Sequence, residues 1–132
     1  MGKRLFLFCR GADVLWFRSE GQLTDECLSE YSRAIRKYWA ATGARAGIWG
    51  FSSVTDFTLT TELVRRLARQ EPTLAEPSHP RVIVASDLVG FGLSRMFQLS
   101  GESARPTLHV VRTFEEALAM LNIQSSKFEP LE

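Results

Sequence analysis

Charge of one sign, metal-binding residues and long hydrophobic runs are all scarce in this chain. Of its 132 residues, sixteen are basic and fifteen acidic, a formal net charge of +1. Without a strong field of one sign, a general attraction to nucleic acid or to an anionic membrane has no basis. There are two histidines and two cysteines, and Cys9 and Cys27 stand in neither a CxxC nor a Cys/His ligand spacing. A metal centre or a disulfide framework is thereby disfavoured, and the cysteines are expected as two buried free thiols in a reducing compartment. No apolar run reaches the length of a membrane span. The opening MGKRLFLFCR has an apolar stretch, Leu5 to Phe8, too short for a signal peptide, and Phe6 stands where a myristoylation signal needs Ser or Thr. A cytoplasmic protein without stable membrane insertion is expected. Also missing are a GxSxG elbow, a GxxxxGK[ST] loop and a GxGxxG after a strand.

What is present is the composition of one globular domain, 45% hydrophobic and 23% charged. The chain is organised around RVIVASDLVGFGLSRMFQL, residues 81–99. Val82 to Ala85 form an apolar run without alternation, as in a strand covered on both faces. Ser86 and Asp87 suit a helix entry. Val89, Leu93, Met96 and Phe97 follow at helical spacing and are expected inward, with Gly90 and Gly92 allowing close packing or an open backbone.

Ahead of this stretch, Arg4–Cys9 and Val14–Arg18 read as two strands joined by Gly11, Ala12 and Asp13, hence an antiparallel hairpin that Gly21 closes off. Thr24 is a candidate N-cap, with Asp25 and Glu26 in the first turn and Gly43 as the stop of an amphipathic helix. Ala44–Phe51 reads as a third strand, Ser52–Thr58 as a polar loop, and Thr60–Gln70 as a second helix. Arg65, Arg66 and Arg69 on that helix suit either a solvated face or contact with an acidic partner. Glu71–Pro80 is a proline-bearing loop, and Gly101–Pro106 a turn. Thr107–Val111 is a fifth strand. Thr113 and Glu116 form a capping box for a last helix running to about Leu121. Residues 1–123 then make one domain, and 124–132 a polar, frayed tail.

This order, a hairpin followed by alternating βα units, predicts an α/β fold whose mixed sheet has a parallel portion and packed helices. Ligands and partners of such sheets meet the loops at the carboxyl ends of the parallel strands. Those loops offer mainly hydroxyls, with Asp56 and Asp87 and no histidine. Asp56 and Asp87 could converge, but loop solvation for Asp56 and helix capping for Asp87 are the favoured readings, and no enzyme activity or cofactor is expected.

The element order and the stretch SSVTDFTLTTELVRRL resemble the STAS domain, the fold of bacterial anti-sigma-factor antagonists. The closer similarity is to small stand-alone bacterial STAS-like, or SpoIIAA-like, proteins, through RVIVASDLVGFGLSRMFQL and VVRTFEEALAMLNI. The resemblance spans nearly the whole chain and implies a non-enzymatic regulatory module with a protein partner. In the regulatory antagonists a serine in the motif Asp-Ser-Ser-Gly at the start of the second helix accepts phosphate from a kinase. Thr58, Leu59, Thr60 and Thr61 match that place, with the acid and the glycine gone and threonine in place of serine. Thr60 and Thr61 are thus candidate phosphorylation sites, although simple helix capping is the favoured reading of both. Ser53, Asp56, Thr58, Thr60, Ser86, Asp87, Gly90 and Arg95 are candidates for partner binding. The fold also resembles lipid-exchange domains of the CRAL-TRIO type. That likeness implies an alternative, a carrier or sensor of a small apolar ligand or lipid, with Trp49, Phe57, Phe91 and Phe97 as candidate pocket residues. The same aromatics suit an ordinary core, and exposed ones a homodimer.

Overall fold

A computed structural model describes residues 2–69, 79–100, 107–123 and 127–131. Its elements are β1 (Lys3–Cys9), β2 (Val14–Thr24), α1 (Asp25–Thr42), β3 (Ala46–Thr58), α2 (Thr61–Arg69), β4 (Arg81–Val84), α3 (Leu88–Ser100), β5 (Leu108–Val111), α4 (Phe114–Met120) and β6 (Glu129–Pro130). The strands form one sheet in the order β5-β4-β3-β2-β1-β6. β1 pairs antiparallel with β2, as the hairpin reading requires, while β2, β3, β4 and β5 run parallel. Most of the expected Glu71–Pro80 loop and the whole 101–106 turn lie outside the described residues.

Side-chain alternation along β2 divides the core in two. Leu15 and Phe17 point to one face, where they meet Phe6, Leu23, Tyr31 and Ala34. Val14 and Trp16 point to the other, with Ile48, Val82, Val84, Val111 and Ala117. Helix α1 packs against β2 on the first face, and α2 packs against α3. Helix α4 covers part of the second. All four residues of β4 are buried, which is why that strand shows no alternation.

The local signals read from sequence are realised as contacts. The Thr24 side chain accepts from the Cys27 N–H at 3.2 Å. Gly43 ends α1 in the left-handed conformation at φ 68°, its N–H donating to the Trp39 carbonyl. Thr113 accepts from the Glu116 N–H at 3.1 Å, and its hydroxyl donates to the Glu116 carboxylate.

Four expectations are corrected. First, β2 does not stop at Gly21, nor is Ser52–Thr58 a loop. β2 and β3 stay paired to Thr24 and Thr58 through two register shifts, with Gly21 at φ 76° beside the second. Polar Ser52, Thr55, Asp56 and Thr58 are exposed on β3, while Val54 is buried, so the segment is a strand with a wet face. Second, Val89 is not inward; Gly90, Leu93, Ser94 and Phe97 carry the inward side of α3. Third, the C-terminal segment is not a free tail. Glu129 and Pro130 pair with Phe8 and Leu7, the Leu131 N–H donates to the Phe6 carbonyl at 2.8 Å, and Phe128 packs edge-on against Trp16. Apolar Phe128 and Leu131 drive that return in an otherwise polar stretch. Fourth, Cys9 is buried but Cys27 is half-buried, and both are free thiols.

Candidate functional site

Every described helix begins just beyond the carboxyl end of a parallel strand. The caps Thr24, Thr60, Asp87 and Thr113 therefore lie along one edge of the sheet. Asp87 accepts from the Val89 N–H through its side chain, and its carbonyl accepts from the Phe91 N–H at 2.8 Å.

The start of α2 is tied to the start of α1. The Asp25 carboxylate accepts from the Thr60 N–H at 3.0 Å through one oxygen, and from the Thr60 hydroxyl at 2.9 Å through the other. That hydroxyl in turn accepts from the Leu63 N–H at 3.2 Å. Asp25 thus occupies the first turn of its own helix and braces the cap of another, both favourable places for a carboxylate. From sequence Asp25 offered only a helix-dipole role; its partner lies 35 residues away.

The candidate residues separate into groups. Thr60, Thr61, Ser86 and Asp87 are exposed along the carboxyl edge, and Thr58 lies at the end of β3 opposite Thr24. Gly90 is buried against Phe57, where a Cβ would come within 2.7 Å of the ring. Ser53 faces the opposite side of the sheet, accepting from Arg18, whose guanidinium lies over Trp16. Asp56 neighbours inward Phe57 on β3 and so points away from it. Arg95 is exposed on α3 and donates to Gln98, which donates to the Leu108 carbonyl at 2.8 Å. The edge also exposes two large apolar side chains that were not foreseen, Leu88 at 76% and Val89 at 56%. Beside them Phe91 lies under the Arg112 guanidinium, 4.3 Å from its ring centre.

Between α1, the α2–α3 pair and the sheet is a cavity of about 140 Å³. Of the four candidate pocket aromatics, Trp49, Phe57 and Phe97 line it and Phe91 does not. Tyr31, Arg81 and Ser94 also line it, and none of them was a candidate from sequence. Burial, the largest influence, pushes the Tyr31 hydroxyl above its ordinary value of 10.0. At the start of α1, hydrogen bonding from Thr24 holds the Cys27 thiol below its ordinary 9.0. No group of His, Cys, Asp and Glu among the described residues is arranged to hold a metal ion. No described helix is long and apolar enough to cross a membrane.

No family model and no curated protein matches the sequence. Among solved structures, the anti-sigma factor antagonist SpoIIAA in its unphosphorylated form is similar, with TM-score 0.56 and 17% identity over 91% of this chain and 99% of that one. The chain has the SpoIIAA fold. This is the STAS-like architecture expected from the element order, and at 17% identity the likeness is one of fold. The SpoIIAA fold here carries Thr60 at the entry of α2, braced by Asp25.

Proposed function

We propose that the protein is a non-enzymatic interaction module of STAS type, docking a partner protein through the carboxyl edge of its parallel strands. The observation that carries this reading is the exposure of Leu88 and Val89 at the start of α3, on a chain with the SpoIIAA fold. Large apolar side chains exposed together mark interaction surfaces more often than scattered single ones. The neighbouring Arg112 gives the patch a cationic rim suited to an acidic partner segment.

Phosphorylation at the start of α2 is the proposed switch. A phosphate on Thr60 would replace a hydroxyl donor by a group of about −1.5 to −2 charge beside the Asp25 carboxylate. The two anions repel, so α2 would come away from α1 and the edge would change shape. Phosphate on Thr61, the first residue of α2, would add charge at the same helix start. Intact and native mass spectrometry of the protein from its own cells tests the reading. The expected result is a phosphate mapping to Thr60 or Thr61, and a retained partner that is lost in Val89→Asp while the fold is kept. An unmodified chain whose partner binding survives both Val89→Asp and Thr60→Glu would overturn it; a retained second copy would make the patch a homodimer surface.

A second reading, a carrier or sensor of a small apolar ligand, is favoured by one observation, the cavity of about 140 Å³ lined by Trp49, Phe57 and Phe97.

A further inference from the structure

The cavity has a chemical character that narrows what it can hold. Apolar cavities on the order of 150 Å³ take up molecules of the size of benzene. This one, at about 140 Å³, has walls of Trp49, Phe57, Leu93 and Phe97. Among its described lining residues a single side chain carries formal charge, that of Arg81. Arg81 is 3% exposed, at the start of β4 between Gly47 and Leu108. A guanidinium stays protonated even when buried, and its five donors form a fixed fork. Arg81 makes a contact of its own within the chain; a fork of five donors serves such a contact and a ligand together. The remaining polar lining groups, Tyr31, Ser32 and Ser94, are neutral hydroxyls. Burial raises the Tyr31 pKa, so that hydroxyl adds no negative charge at neutral pH.

We infer that the cavity binds a small monocarboxylate with an apolar body, its carboxylate on Arg81 and its ring or short chain between Trp49, Phe57 and Phe97. The inference rests on the carrier reading and goes further by specifying the ligand's charge. Cation and apolar walls play separate parts. The walls reward any apolar body that fits, by roughly 25 cal/mol per Å² removed from water. The guanidinium selects among such bodies, because a carboxylate pairs with it bidentately, a neutral amide does so weakly, and an ammonium is repelled.

The test uses the whole chain and three probes of one size: benzoate, benzamide and benzylammonium. Binding is read from shifts of the Trp49, Phe57 and Phe97 side-chain resonances. The expected order is benzoate tighter than benzamide by about tenfold or more, with no binding of benzylammonium. Arg81→Met keeps an apolar stem and should bring benzoate down to the affinity of benzamide. Ser94→Leu, which fills the cavity from α3, should remove both. Should Arg81→Met fail to fold, the ranking on the unaltered protein decides alone. Equal binding of benzoate and benzamide would overturn the inference and leave the carrier reading standing. Binding of none of the probes would overturn both.

Discussion

Removing the Asp25 carboxylate should loosen the start of α2, although Asp25 belongs to α1. It accepts two hydrogen bonds from Thr60, at 3.0 and 2.9 Å. A typical hydrogen bond contributes about 0.5–1.5 kcal/mol net. Thr60 is exposed, so water can replace part of what is lost, and the lower half of that range applies to each bond. Asp25 also stands in the first turn of α1, where an acid adds roughly 0.3–1 kcal/mol. Asp25→Ala should therefore cost about 1.3–3 kcal/mol. Thr60→Ala removes the hydroxyl bond to Asp25 and the cap on the Leu63 N–H, together about 1–2 kcal/mol. The hydroxyl–carboxylate bond is common to both changes. The double variant should then fall short of the sum by about 0.5–1 kcal/mol, at or beyond the scatter of about 0.3–0.5 kcal/mol for independent sites. Urea unfolding at constant slope measures the cycle, and hydrogen exchange at the Leu63 amide localises it. Strict additivity, with Leu63 exchange unchanged in Asp25→Ala, would refute the bracing role.

Gly90→Val should cost about 1–3 kcal/mol, because even its Cβ meets the Phe57 ring at 2.7 Å; thermal unfolding would show it, and an unchanged midpoint would count against close packing there. Phe128→Ala removes a partner of Trp16 and Phe114, at ring distances of 5.1 and 6.1 Å. Since Phe128 is only half-buried, about 1–2 kcal/mol is expected rather than the ~3–5 of a core phenylalanine, together with a shift in tryptophan emission. Iodoacetamide should modify Cys27 well before buried Cys9, already below pH 9.0, and more slowly in Thr24→Val. Folding favours the Cys27 thiolate relative to the unfolded chain, so its contribution to stability is full above 9.0 and lost as pH falls through the lower folded value. For Tyr31 the sign is opposite: the folded chain holds its proton longer, so stability should fall as pH rises above 10.0, and Tyr31→Phe should flatten that fall.

Legibility from sequence followed the range of the interactions. Thr24, Gly43 and Thr113 were readable because each acts on a group within four residues of itself. The hairpin and the βα alternation were readable from the spacing of apolar residues. The side of the sheet on which Ser53 falls was not. Between Arg18 and Glu20 the β2–β3 register shifts, and a one-residue shift turns the following side chains to the other face. Nor was the outward turn of Val89, because Gly90 takes the place against Phe57 and rotates α3 accordingly.

By itself, then, the sequence determined the four helices, three of their caps, the strands apart from β6 and the far ends of β2 and β3, and the mixed sheet, since apolar periodicity and short-range hydrogen bonds are written into neighbouring residues. The tertiary structure alone decided which distant groups meet. It set Asp25 against Thr60 across 35 positions, returned Phe128 and Leu131 to the sheet, and put the Arg81 charge beside an apolar cavity. Each of these depends on register, bulges and the packing of helices on a shared face, which exist only once the sheet has formed.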